Sequence, residues 1–218
     1  MRPSLVIFDC DGVLVDSERI AAEGMVESLR ILGLDMSYAE IRREFVGLTW
    51  SDMVARIERK LGGPIPPDWS SRTRDRDRAR FLSELQPVPH VRDVVHRLRD
   101  AAIPYCVASS GDPAKMQATL GATDLLPLFD DVLFSATMVA RGKPHPDLFL
   151  FAADQMGHAP DGCVVIEDSL PGVGAARAAD MRVLAYAGDP HTDDAALADA
   201  GAEVFHDMRD VPRLIGLA

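Results

Sequence analysis

The stretch Leu5-Val6-Ile7-Phe8-Asp9-Cys10-Asp11-Gly12 decides the fold class of this chain. Four consecutive apolar residues predict a strand that is buried on both faces, as the strands of parallel sheets are. Two carboxylates follow at the carboxyl end of that strand, where open α/β sheets bind their ligands. Acidic residues also end strands for local reasons, but two carboxylates beside an apolar strand are costly unless a cation or hydrogen bonds compensate them. The pattern therefore favours a chemical site at Asp9 and Asp11, with Gly12 allowing a sharp turn after them.

A helical insertion interrupts the sheet after this first strand. From residue 88 onwards, strand patterns alternate with helical ones, which is typical of a parallel sheet covered by helices on both faces. Residues 16–87 instead carry four successive helical patterns. We therefore predict an α/β fold, with a Rossmann-like parallel-sheet core of residues 1–15 and 88–218 and an inserted all-helical cap of residues 16–87. The later strands are predicted at 103–108, 132–134, 163–166, 183–186 and 203–205, and the core helices at about 91–101, 113–121, 146–157, 171–180 and 193–200.

Composition limits the class of protein and its partners. The chain has 218 residues, of which 47% are hydrophobic, so it can bury a full core. Its net charge of −11 argues against nucleic acid as the partner, because phosphate backbones need a basic face. The sequence shows no membrane-spanning run and no signal-peptide pattern. Cys10, Cys106 and Cys163 are expected to be buried thiols, and no nearby His supports Cys10 as a nucleophile. We expect a cytoplasmic monomer or homodimer that binds neither nucleic acid nor a membrane.

Three further motifs follow predicted strands of the same sheet. Ser109-Ser110-Gly111 supplies two hydroxyls and a glycine, which suit a phosphate oxygen, although turns and helix caps use the same residue types. In Gly142-Lys143-Pro144, a glycine and a proline flank the lysine and order its backbone. Such an ordered lysine suits an ammonium that must neutralise a buried anion. Glu167-Asp168 adds two acids after the strand at 163–166, and hard oxygen ligands from separate strands are what Mg²⁺ prefers.

Taken in order, the motifs DxDGxxxDS, strand-Ser, KPHPD and EDS resemble the phosphatase branch of the haloacid dehalogenase superfamily that carries a helical cap. The resemblance covers essentially the whole chain. It implies a phosphatase that acts on a small phosphorylated metabolite through an aspartyl-phosphate intermediate. It makes Asp9 the nucleophile, Asp11 the general acid and base, and Ser109 and Lys143 the residues that hold the phosphate.

The same resemblance implies that Mg²⁺ is the cofactor. Its ligands would be Asp9, Asp168 and the main-chain carbonyl of Asp11, with Glu167 assisting directly or through water. Ser110 is expected to contact the substrate as well. An acidic chain suits a bound divalent cation, although solubility also explains the charge.

Two alternatives to a phosphatase remain open. Within the superfamily the sequence is similar to sugar-phosphate phosphatases of the 6-phosphogluconate type and, more distantly, to beta-phosphoglucomutases. The mutases hold a second phosphate with a His in the first cap helix and an Arg in a glycine-containing cap loop, where this chain has Ala21 and Trp50. A sugar phosphomutase is therefore the first alternative, and a non-catalytic phosphometabolite-binding protein is the second. Trp50 either contacts substrate or anchors a helix start, and the arginines between 72 and 80 are expected to form an ion-paired surface.

Overall fold

The structure, a computed structural model, describes residues 2–45, 50–129 and 131–217. The chain divides into two compact units. The sheet unit comprises the chain up to Asp16 and from Gln86 onwards, and the helical unit comprises Ser17–Leu85. Residues 46–49, part of the glycine-containing loop considered above, lie outside the described residues. No described helix is long and apolar enough to cross a membrane.

Within the described residues, the helical unit contains α1 (Ser17–Ile31), α2 (Tyr38–Phe45), α3 (Trp50–Leu61) and α4 (Trp69–Glu84). Helix α1 ends near Gly33, whose positive φ of 81° is the conformation that closes many helices. The apolar face predicted for α1 is buried, and Met25 and Leu29 pack in one cluster with Ile41, Phe45, Ile57 and Trp69. The four predicted helical patterns are therefore confirmed.

The described part of the sheet unit contains six strands in one parallel sheet. They are β1 (Leu5–Phe8), β2 (Tyr105–Ser109), β3 (Leu133–Ser135), β4 (Cys163–Glu167), β5 (Arg182–Tyr186) and β6 (Glu203–Phe205). The strand order is β3-β2-β1-β4-β5-β6, and each neighbouring pair is parallel. The strand order reverses beside β1, which pairs with β2 on one side and β4 on the other. Such a switch point is where open α/β sheets bind their ligands.

Strand β1 is buried because apolar groups cover both of its faces. Leu5 and Ile7 pack in the cluster that includes Leu148 and Phe149, while the ring of Phe8 meets Phe129 edge-on with centroids 6.1 Å apart. This burial explains the unbroken apolar run that predicted the strand.

The predicted core helices are present, and their observed ends lie within two residues of the predicted ones, a normal uncertainty at helix termini. They are α5 (Val91–Asp100), α6 (Pro113–Ala122), α7 (Asp147–Gln155), α8 (Leu170–Ala178) and α9 (Asp194–Asp199). A further helix, α10 (Val211–Leu214), was not predicted, because four residues are too few for a helical period to be recognised. Cys10, Cys106 and Cys163 are buried free thiols, as predicted.

Candidate active site

The residues singled out by the motifs gather at the carboxyl ends of three adjacent strands. Asp9 follows β1, Ser109 ends β2 and Glu167 ends β4. Lys143 lies in the loop before α7 and reaches the same edge of the sheet. The strand order thus brings together groups that are far apart in the sequence.

Lys143 joins two buried carboxylates. Its Nζ lies 2.5 Å from Asp9 Oδ1 and 2.6 Å from Glu167 Oε1. The three side chains are only 3%, 9% and 1% exposed, for Lys143, Asp9 and Glu167. Burial raises the pKa of Asp9 to about 7, since desolvation and the neighbouring Glu167 outweigh the opposing effect of Lys143. Burial would lower the pKa of Lys143, but the Asp9 and Glu167 carboxylates hold it above its ordinary value.

The Glu167 carboxylate is fixed by hydrogen bonds on both oxygens. Oε1 accepts from Lys143, and Oε2 accepts from the backbone N–H groups of Asp168 and Ser169 and from the Ser169 hydroxyl, each at 2.9 Å. Gly172 leaves room for this carboxylate, because a Cβ there would collide with it. Ser169 also caps α8 by accepting from Gly172 N–H. Sequence reasoning missed this dual role, although a serine followed by Leu-Pro-Gly is a recognisable helix start.

Ser109, the last residue of β2, is hydrogen-bonded to the loop that follows the strand. Its side chain is buried, and its Oγ accepts a hydrogen bond of 3.0 Å from the Gly111 N–H. The Ser135 hydroxyl, at the end of β3, donates to the Gly111 carbonyl at 2.8 Å. Ser110 is exposed, and its side chain makes no hydrogen bond to another of the described residues. Ser135 was not predicted, because nothing in its local sequence indicates a contact with a loop 24 residues away.

Asp11 has a partner that sequence reasoning also missed. Lys115, in the first turn of α6, donates from Nζ to Asp11 Oδ2 at 2.7 Å. A Cβ at Gly111 would lie 3.3 Å from Lys115 Cδ, 3.4 Å from Ser109 Oγ and 4.0 Å from Asp11 Oδ2. These three groups therefore surround the space that a side chain at Gly111 would occupy. A possible signal was the position of Lys115 in the first turn of the helix that follows β2.

Gly12 and Cys10 shape the loop that carries the aspartates. Gly12 has a φ of 78°, which confirms the sharp turn predicted after Asp11. Cys10 is buried, and its Sγ lies 3.9 Å from Thr119 Oγ1 on α6. Burial and the two aspartates raise the pKa of the Cys10 thiol well above its usual value, so the packing interpretation is favoured over a nucleophilic one.

The charge of the site suits a divalent cation. In their ionised forms, the carboxylates of Asp9, Asp11 and Glu167 outnumber the ammonium groups of Lys115 and Lys143 that contact them, and Asp168 adds a further acid directly after β4. Among the described residues, no three acidic, His or Cys side chains are gathered closely enough to hold a metal by themselves. Mg²⁺ does not require such a cluster, since it often takes one or two carboxylates and completes its shell with water and phosphate oxygens.

Trp50 lies in the helical unit, at the start of α3. Its ring stacks on Trp69 with centroids 6.1 Å apart, and the Arg74 guanidinium lies 5.5 Å from its centroid. These contacts give Trp50 a packing role in that unit. The exposed ion pair of Arg72 with Asp68 fits the ion-paired surface expected for these arginines. Arg80 departs from it, because its side chain pairs with Glu23 and Glu84 but is only 16% exposed, and Arg74 contacts the Trp50 ring.

Known proteins that are similar to this chain are haloacid dehalogenase-like proteins and sugar-phosphate phosphatases. A family model described as haloacid dehalogenase-like hydrolase matches residues 3–180. The 6-phosphogluconate phosphatase of Escherichia coli (strain K12) is 30% identical over 191 residues, which cover 87% of this chain and 85% of the relative. The fructose-1-phosphate phosphatase YqaB of the same strain is 33% identical over 176 residues, covering 81% and 92%. The crystal structure of a haloacid dehalogenase-like protein of unknown function from Agrobacterium tumefaciens has a TM-score of 0.91 and 36% identity, covering 98% of this chain and 97% of that one.

Proposed function

Because the chain belongs to the haloacid dehalogenase-like hydrolases and is a phosphatase, we propose that it hydrolyses a phosphorylated sugar or sugar acid through an aspartyl phosphate on Asp9, with Mg²⁺ as cofactor. The observation that carries the proposal is the buried contact of Lys143 with Asp9 and Glu167, beside Ser109 at the switch point of the sheet. A carboxylate held there by an ammonium is positioned to meet an incoming phosphoryl group.

Asp9 is the nucleophile in this proposal. One of its carboxylate oxygens attacks phosphorus, and the bond between phosphorus and the leaving oxygen breaks. Asp11 gives its proton to the leaving alkoxide. In the second step Asp11 takes a proton from water, the water oxygen attacks phosphorus, and the bond to Asp9 breaks. General acid and base catalysis of this kind typically contributes about 10²–10⁴-fold.

Ser109 and Lys143 are proposed to hold the transferring phosphoryl group, with Ser110 as a further contact. Lys143 is suited to this because it is buried, positively charged and fixed by two carboxylates. Its charge reduces the repulsion between Asp9 and a phosphate.

Asp9, Asp168 and the main-chain carbonyl of Asp11 are proposed to hold Mg²⁺. When bound, the ion supplies charge neutralisation between the nucleophile and the phosphate. Since hydrogen bonds already occupy both Glu167 oxygens, we favour assistance by Glu167 through water over direct coordination. The main task of Glu167 is to fix Lys143.

A sugar-phosphate substrate is supported by relatives named for their action on 6-phosphogluconate and fructose 1-phosphate. A phosphatase is favoured over a sugar phosphomutase, because Ala21 and Trp50 cannot supply the two groups that hold a second phosphate. A non-catalytic binding protein is disfavoured, since each expected catalytic residue is present. The cap is proposed to select the substrate.

Phosphate release from a panel of sugar phosphates and from p-nitrophenyl phosphate tests the proposal. We expect turnover with Mg²⁺, loss of activity with a chelator, and no replacement by Ca²⁺. Ca²⁺ takes more ligands in a looser geometry and would disturb the approach of Asp9. Comparable turnover with Ca²⁺, or after chelation, would contradict the metal assignment. Isomerised sugar phosphate without free phosphate would instead indicate the mutase.

A further inference from the structure

We propose that Lys115 is a positioning residue for Asp11. Its ammonium holds the Asp11 carboxylate on the side of the loop where Ser109 lies, so that the carboxyl group can exchange a proton with the leaving group and with water. The inference rests on the proposed function, because it takes Asp11 as the general acid and base.

The contact itself is short and partly shielded from solvent. Lys115 Nζ lies 2.7 Å from Asp11 Oδ2, and the two side chains are 43% and 20% exposed. Lys143 is meanwhile engaged by Asp9 and Glu167. The two lysines therefore serve different carboxylates: one contacts the nucleophile and the other contacts the proposed acid and base.

Gly111 makes this arrangement possible. A Cβ at Gly111 would lie 3.3 Å from Lys115 Cδ, which is closer than most Cβ atoms approach a neighbouring atom. It would lie 4.0 Å from Asp11 Oδ2, an ordinary contact distance. The same Cβ would lie 3.4 Å from Ser109 Oγ. The glycine therefore lets Lys115 extend past the loop to Asp11, beside the hydroxyl proposed to hold phosphate.

Helix α6 is fixed against the aspartate loop at two successive turns. Lys115 contacts Asp11, and Thr119, four residues later on the same helix face, contacts Cys10 Sγ at 3.9 Å. Asp112 caps the helix by accepting from the Lys115 N–H at 2.8 Å, with Pro113 at the first helical position. These contacts fix the position of the Lys115 main chain relative to the loop that carries Asp11.

The stability of α6 does not explain a lysine at this position. A positive charge in the first turn of a helix opposes the helix dipole, which favours negative charge there. Asp11 compensates that charge, so the ion pair explains the residue type where the helix alone does not.

The test compares Lys115→Met with Lys115→Arg and with Gln117→Met, a control at an exposed position of the same helix. For Lys115→Met we expect kcat for a sugar phosphate to fall by about 10- to 100-fold, with KM changed by less than about threefold. With p-nitrophenyl phosphate, whose leaving group needs no proton, the initial burst of nitrophenolate should remain near the wild-type rate. Phosphoenzyme should accumulate, because Asp11 no longer serves the second step well. Lys115→Arg should recover most of the activity, and Gln117→Met should match wild type.

Four outcomes would overturn the inference. Unchanged kinetics in Lys115→Met, or a raised KM with unchanged kcat, would show no positioning role. An equal fall in the rate of the nitrophenolate burst and in sugar-phosphate turnover would indicate a structural role. Lower thermal unfolding midpoints of Lys115→Met and Lys115→Gln would then be expected. In these three cases the wild-type protein would still form phosphoenzyme, so the proposed function would stand. Absence of any Mg²⁺-dependent phosphoenzyme in the wild type would overturn both proposals.

Discussion

Lys143 shows how one residue can govern a buried site. It neutralises two carboxylates that are almost completely removed from water. Isolated buried charges are strongly unfavourable, so each member of this group depends on the others. The same dependence keeps an ammonium beside the proposed nucleophile before any substrate binds.

Replacing this lysine should therefore be costly. We expect Lys143→Met to lower the free energy of unfolding by about 3–5 kcal/mol, because Asp9 and Glu167 would lose their common counterion. Lys60→Met is a matched control, since Lys60 forms an ion pair with Glu44 that is partly exposed. Its loss should cost no more than about 1 kcal/mol. Urea unfolding with a chelator present measures both, and equal effects would contradict the importance of the buried group.

The two aspartates should fail in different ways. Asp9→Asn should form no phosphoenzyme with any leaving group. Asp11→Asn should keep the nucleophile, lose most turnover of alkyl phosphates, and accumulate phosphoenzyme from p-nitrophenyl phosphate, since water then lacks a base. Rapid-quench trapping of the covalent intermediate distinguishes the variants. A phosphoenzyme formed by Asp9→Asn at the wild-type rate would show that the nucleophile is another residue.

At the scale of helices, the contact between α1 and α4 buries a charged group. Asp77 on α4 lies directly against Gly24 on α1, where any side chain would collide with its carboxylate. Its Oδ1 is buried and has no hydrogen-bond partner among the described residues. Burial raises the pKa of Asp77 to about 6, despite the opposing charges of Arg76 and Arg80.

This raised pKa predicts a pH-dependent stability. Protonated Asp77 is favoured in the folded helical unit, so its contribution to stability is complete below its ordinary pKa of 3.8 and is lost as pH rises through about 6. The unfolding midpoint of the wild type should therefore fall relative to that of Asp77→Asn between about pH 4 and pH 7. Asp75→Asn, at an exposed position of α4, is the control. Parallel pH profiles for wild type and Asp77→Asn would contradict this account.

At the scale of the whole molecule, the chain leaves the sheet unit just after the loop that carries Asp9 and Asp11, and it returns beside the point of departure. Asp16 N–H donates to the Gln86 carbonyl, and Val88 N–H donates to the Leu14 carbonyl, each at 2.9 Å. The two connecting segments are therefore paired within the sheet unit. This arrangement allows a separate helical unit to be inserted without interrupting the strands that carry the proposed chemistry.

If the inserted unit selects the substrate, its residues should affect specificity more than chemistry. We expect Trp50→Ala to change kcat/KM for some sugar phosphates relative to others by about tenfold, while p-nitrophenyl phosphate is little affected. Trp69→Phe is the control, because Trp69 stacks on Trp50 and donates to the Ser28 carbonyl but is buried in the unit. It should lower stability without changing relative specificity. A uniform loss over all substrates in Trp50→Ala would mean that Trp50 is structural.

The sequence by itself determined the fold class, a parallel sheet covered by helices, and the residues at the carboxyl ends of its strands. The run Leu5–Phe8, the strand–helix alternation and the acids after β1 and β4 are local patterns, and the rules of parallel sheets bring such strand ends together. Only the tertiary structure decided which of these groups touch. Lys143 lies 134 residues from Asp9, and Lys115 lies 104 residues from Asp11. Such pairs depend on strand order, on helix register and on the space that a glycine such as Gly111 leaves. Contacts of a few ångströms are determined by packing, and no repeating pattern along the chain specifies them.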